Sequence, residues 1–144
     1  MARSKFCTDS ELIATIQISN GKKAFIFDAK DISNPQIGEI LAEFFCNPKK
    51  ILVGHTLQDD LDVTLKALGI KAKAQCKCVD VKYDFKKAFP GKRAGLASIS
   101  EVVLGKPICK NYTLTDWGRR PLLKNQLHYA ALDAVVVIYI FRKQ

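Results

Sequence analysis

The spacing of apolar residues changes period several times along the chain. Leu12 to Ser19 is a run rich in β-branched residues, and it closes on Asn20-Gly21, a pair that favours hairpin turns. Lys23 to Asp28 then predicts the returning strand. Asn34-Pro35 marks a helix start, with the proline at the first helical position. Ile37, Ile40, Leu41, Phe44 and Phe45 recur at helical spacing behind it, and Asn47-Pro48 ends the run. Lys50 to Gly54 reads as a short apolar strand, and Leu57 to Leu68 predicts a helix stopped by Gly69. Cys76 to Val81 predicts another strand or extended segment. Two further helices are expected, from Leu96 to Leu104 before Gly105 and from Leu122 to about Arg142. A hairpin followed by alternating helices and strands argues for an α/β sheet covered by helices. No linker-like stretch interrupts residues 1–144, which predicts one domain.

Composition narrows the function classes. The longest apolar run, Ala130 to Phe141, is broken by Asp133 and is too short to span a bilayer. Met1-Ala2-Arg3-Ser4-Lys5 has no apolar signal region behind it. The five cysteines Cys7, Cys46, Cys76, Cys78 and Cys109 are irregularly spaced, and Cys76-x-Cys78 lacks the second pair of a zinc site. Reduced structural thiols in a signal-free chain point to the cytoplasm or nucleus. The net charge of +9 favours a polyanionic partner, and basic residues pair up at Lys49-Lys50, Lys86-Lys87, Lys92-Arg93 and Arg119-Arg120.

The acidic residues carry the candidate chemistry. Asp59 and Asp60 open the helix after Leu52-Val53-Gly54, where acids also meet the helix dipole favourably. Asp62 reads as a solvated helix residue. Asp133 stands among apolar residues, with Tyr129 one turn earlier on the same face. A carboxylate there is costly unless it is paired, hydrogen-bonded or bound to a metal. A structural hydrogen bond and a functional role are both open to it. Mg²⁺ prefers carboxylate oxygens together with water and substrate phosphate. Two such ions about 4 Å apart can drive phosphodiester cleavage, given roughly four carboxylates gathered by the fold.

Asp116-Trp117-Gly118-Arg119-Arg120-Pro121-Leu122, then Gln126, then Tyr129-Ala130-Ala131-Leu132-Asp133-Ala134, resembles the third exonuclease motif of the DEDDy family. That family includes ribonuclease D and the Werner-syndrome exonuclease domain. Val53-Gly54-His55-Thr56-Leu57-Gln58-Asp59-Asp60-Leu61 resembles its second motif, with Asp60 on the metal-binding position. Gly95-Leu96-Ala97 through Val103-Leu104-Gly105-Lys106 is similar to the helix between those motifs. Ile16-Gln17-Ile18 with Phe25-Ile26-Phe27-Asp28 is similar to its early hairpin. The order and spacing of these pieces carry the resemblance from about Leu12 to Tyr139.

The resemblance implies a ribonuclease H-like α/β fold, with a mixed central sheet and helices on both faces. It implies a 3′–5′ exonuclease acting on RNA or DNA by two-metal-ion hydrolysis with Mg²⁺ or Mn²⁺. Asp60 and Asp133 would be metal ligands and Tyr129 would orient the attacking water. Arg119 and Arg120 would meet phosphate or form surface salt bridges. Trp117 reads as packing, Gln126 and Leu122 as scaffold, and His55 and His128 as having no catalytic pattern.

The family's first motif, Asp-x-Glu on the opening strand, admits two placements. In one, Asp9-Ser10-Glu11 supplies Asp9 and Glu11 as further ligands, leaving only Leu12-Ile13 to connect two antiparallel strands. In the other, Ser10 to Ala14 enters the second strand and the first is short or truncated, with Arg3 to Thr8 as a substitute. The second placement favours an inactive exonuclease-like domain that binds nucleic acid or protein partners.

Overall fold

The computed structural model describes residues 2–3 (backbone), 13–28, 33–71 and 74–143. Its strands are β1 (Ala2–Arg3), β2 (Ile13–Ser19), β3 (Ala24–Asp28), β4 (Ile51–Gly54) and β5 (Lys77–Asp80). Its helices are α1 (Pro35–Phe45), α2 (Leu57–Ala67), α3 (Val81–Ala88), α4 (Leu96–Leu104) and α5 (Lys124–Lys143).

The hairpin forms where the turn residues place it. β2 and β3 pair antiparallel from Thr15 beside Asp28 to Ser19 beside Ala24. Asn20 Oδ1 accepts the Lys22 and Lys23 amides at 2.9 and 2.8 Å, and Gly21 supplies the left-handed φ of +87°. β1 lies on the other edge of β2, with Ala2 beside Thr15 and Arg3 beside Ile13. β4 and β5 pair parallel in a separate piece. The expected mixed sheet is thus present as an antiparallel and a parallel fragment among the described residues.

Helices cover both faces. Leu52 of β4 packs with Leu41, Phe45, Leu61 and Leu65 of α1 and α2. Val53, the next residue and so on the opposite face, packs against the cluster of Val81, Phe85, Ile99 and Ile140. α1 starts as predicted, with Asn34 Oδ1 accepting the Gln36 amide at 3.0 Å. Ile40 departs from the predicted face and is 62% exposed, because Leu41 and Phe45 already fill the contact.

α3 was not anticipated. The chain passes directly from β5 into this short helix, where Asp80 caps the start and Val81 and Phe85 are fully buried one turn apart. Its charged Lys82, Asp84, Lys86 and Lys87 hide that pair in any averaged hydropathy.

Candidate active site

The site is assembled from the end of β4, the first turns of α2 and the middle of α5. Gly54, the last residue of β4, lets Leu57 approach closely: a Cβ at Gly54 would stand 2.8 Å from Leu57 Cδ1. The chain then turns through Thr56, a β-branched residue in the left-handed region at φ 54° and ψ 40°. Such a conformation is strained and recurs at functional sites. The Asp80 carboxylate secures the next residue by accepting the Leu57 amide at 3.0 Å. Asp60 follows one turn into α2, and its carbonyl accepts the Thr64 hydroxyl at 2.7 Å.

Asp60 and Asp133 line one cleft, a cavity of ≈ 380 Å³, together with His55. Burial raises the Asp133 carboxyl above its ordinary range, while a hydrogen bond with Tyr129 and the nearby His55 imidazole pull it the other way. Burial likewise raises the Tyr129 phenol, opposed by its hydrogen bond with Thr113. Tyr129 is therefore a neutral hydroxyl at physiological pH, 2.9 Å from Thr113 Oγ1 and linked to Asp133. Its ring lies near those of Trp117 and Tyr112, with centroids 6.2 and 6.4 Å away.

The other sequence candidates separate sharply. Asp59 is exposed. Arg119 is exposed, whereas Arg120 is turned inward. Its Nε pairs with Asp28, its Nη2 donates to the Ala14 carbonyl at 3.0 Å, and its Nη1 donates to the Trp117 and Arg119 carbonyls. Arg120 ties the hairpin to the loop before α5 through an ion pair, one of the two roles the sequence left open to it. Trp117 is buried at 3% exposure, as packing requires. Gln126 is fully buried, donating to Thr115 Oγ1 and the Asp116 carbonyl and accepting the Leu123 amide. Asp9 and Glu11 lie outside the described residues.

Sequence reasoning passed over two contributors. His55, which lines the cleft, has its Nε2 2.7 Å from the Ala94 carbonyl, directly after Lys92-Arg93 in the chain. Asp80 caps both α2 and α3, and its position immediately before Val81 and Phe85 was the available signal.

The donor set agrees in kind with a hard divalent ion, because Asp60 and Asp133 offer carboxylate oxygens and Asp133 is poorly solvated. In number it is small: among the described residues, no group of three His, Cys, Asp or Glu side chains could hold a metal. Among them also, no helix is long and apolar enough to cross a membrane.

A 3′–5′ exonuclease family model matches residues 3–143. The chain belongs to that 3′–5′ exonuclease family. It is 27% identical over 150 residues to the exonuclease mut-7 of Caenorhabditis elegans, covering 91% of this chain and 16% of that protein. The ribonuclease D structure from Escherichia coli superposes with a TM-score of 0.71 at 27% identity, over 90% of this chain and 33% of that one. The Nibbler EXO domain of Aedes aegypti gives 0.78 at 18% identity, over 99% of this chain and 73% of that one. The ribonuclease H-like α/β fold is therefore established. The chain spans about a sixth of the nematode relative and a third of the bacterial structure.

Proposed function

We propose that this domain removes nucleotides from the 3′ end of a single strand of RNA or DNA in a divalent-metal-dependent hydrolysis. The observation that carries the reading is the convergence of Asp60 from α2 and Asp133 from α5 on one cleft, with Tyr129 one turn from Asp133. Asp60 and Asp133 would hold Mg²⁺ or Mn²⁺, which supplies charge neutralisation and an acidified water when bound. The neutral Tyr129 hydroxyl, held by Thr113, would orient the attacking water. His55 anchors the Ala94 backbone, and the exposed Lys92 and Arg93 just before it offer positive charge to the incoming strand. RNA is favoured by the relatives named as ribonuclease D.

A second reading has its own support. The described residues gather two carboxylates, about half of what a two-ion centre uses, and Asp9 and Glu11 would have to supply the rest. Without them the fold would hold nucleic acid and leave it intact. The test is incubation of the purified domain with 5′-labelled single-stranded RNA and DNA, with and without Mg²⁺ or Mn²⁺. A metal-dependent ladder shortening from the 3′ end supports the enzyme. Intact substrate with salt-sensitive binding supports the binding module.

A further inference from the structure

α3 divides its residues sharply between two faces. At about 100° per residue, Val81 and Phe85 stand on one side, and both are fully buried. Lys82, Lys86, Tyr83 and Lys87 follow one another around the opposite side, over an arc of about 140°. The acidic Asp84 lies past Lys87, outside that arc. Lys86 and Lys87 are exposed. Tyr83 is 70% exposed, more than any other aromatic side chain among the described residues. Among those residues, none of the three lysines is held in an ion pair. Lysines alone would only solvate a helix. The exposed phenol ring between them is the second observation, because cations flanking an aromatic ring suit a base carried between phosphates.

Both ends of this segment are fastened to residues of the cleft. Ahead of α3, the Asp80 carboxylate accepts the Leu57 amide, and behind it the Ala94 carbonyl lies 2.7 Å from His55 Nε2. Leu57 and His55 both line the cleft. In between, the Lys92 amide donates to the Phe89 carbonyl at 3.3 Å, and Lys92 Nζ lies 5.1–5.5 Å-range close over the Phe89 ring, 5.5 Å from its centroid. α3 is eight residues and about 12 Å long, so its lysines stand beside the cleft rather than across the molecule. From Lys82 to Arg93 five basic residues meet one acid, a net +4 of the chain's +9.

We propose that the outward face of α3 is a second contact for single-stranded nucleic acid, outside the cleft, which holds the strand upstream of its 3′ end. Lys82, Lys86 and Lys87 take phosphates and Tyr83 stacks on a base, so the contact tolerates any sequence. Its direction rests on the exonuclease reading, since a 3′ end in the cleft leaves the upstream nucleotides outside it. A bilayer is disfavoured, because the face has no apolar anchor besides the Tyr83 ring.

The experiment measures binding of a 5′-labelled oligo-uridine of about 20 nucleotides to the full chain by fluorescence anisotropy, in EDTA so that nothing is cleaved. Lys82→Ala/Lys86→Ala/Lys87→Ala should weaken binding about 10-fold or more and lower the slope of log affinity against log salt by about 2. Tyr83→Ala should lose roughly fivefold or more, and Tyr83→Phe should bind as the parent does. Lys22→Ala/Lys23→Ala/Lys49→Ala removes the same charge from exposed positions elsewhere and should change affinity less than about twofold. Parent-like binding by the α3 variants, equal losses from the two triple variants, or no binding by the parent would overturn the proposal. So would displacement of the RNA by polyglutamate as effective, charge for charge, as displacement by unlabelled RNA, which would mark the face for an acidic protein. Hydrolysis is read separately in Mg²⁺. A parent that binds through α3 and never shortens RNA contradicts the exonuclease reading alone. One that shortens RNA while every α3 variant binds normally contradicts this proposal alone.

Discussion

Asp80 and Leu57 are joined by a 3.0 Å hydrogen bond from the Leu57 amide to Asp80 Oδ2, which ties the end of β5 to the first turn of α2. The other oxygen accepts the Lys82 amide at 2.9 Å, so a single carboxylate caps two helices. One of those helices carries Asp60 into the cleft. Asp80→Ala should cost about 2 kcal/mol in urea denaturation, since it removes two caps. A cost no greater than that of an exposed surface substitution would mean that the two helices are held by packing alone.

Asp133 is held against its own solvation. Burial raises its carboxyl, so the folded state binds the proton more tightly than the unfolded chain does. Below the ordinary carboxylate range both states are protonated and ionisation costs the fold nothing. As pH rises through the ordinary value and past the raised one, the penalty develops and then stays constant. Asp133→Asn should therefore melt a few degrees higher than the parent at pH 7, with the gain fading at pH 3. Scanning calorimetry at the two pH values decides it: an equal or lower Tm at pH 7 contradicts the desolvation argument.

Arg120 belongs to the framework. Its ion pair with Asp28 is about a quarter exposed, and its remaining nitrogens hold carbonyls of β2 and of the loop before α5. Arg120→Met leaves Asp28 and those carbonyls short of a donor and should cost about 1–3 kcal/mol. Affinity for single-stranded RNA, measured by fluorescence anisotropy under folding conditions, should change less than about twofold. A large loss of affinity without loss of stability would instead support a phosphate contact.

The thiols should divide by burial. Cys76 is buried, and its thiol is pushed up to about 11 chiefly by desolvation, with Cys78 adding to the shift. Cys78 and Cys109 are exposed. With iodoacetamide at pH 8, Cys78 and Cys109 should alkylate in the native protein while Cys76 is spared until denaturant is added. Peptide mass spectrometry reads each site, and early labelling of Cys76 would show that its cover opens readily.

Much of the architecture was legible because local chemistry and tertiary packing agree. Asn34-Pro35, Gly69 and Gly105 mark helix boundaries close to where they occur, and Asn20-Gly21 places the hairpin. α3 was hidden because its apolar contribution is concentrated in Val81 and Phe85. Asp60, Tyr129 and Asp133 emerged from motif order, yet their convergence depends on long-range packing that spacing alone cannot express. The partner of Arg120 was hidden for the same reason, since Asp28 is far away in sequence and adjacent only in the fold. His55 gave no signal because its partner is a backbone carbonyl.

The neighbouring acids Asp59 and Asp60 provide the most direct test of the central claim. Asp60 lines the cleft and Asp59 faces solvent, so one position along α2 separates a proposed metal ligand from a surface charge. The measurement is the single-turnover rate of 3′-nucleotide release from single-stranded RNA in Mg²⁺, for the parent, Asp59→Asn and Asp60→Asn. Metal-dependent release is expected to fall roughly 100-fold or more in Asp60→Asn and to stay within about threefold of the parent in Asp59→Asn. Equal rates in the two variants, or no metal-dependent release by the parent, would contradict it.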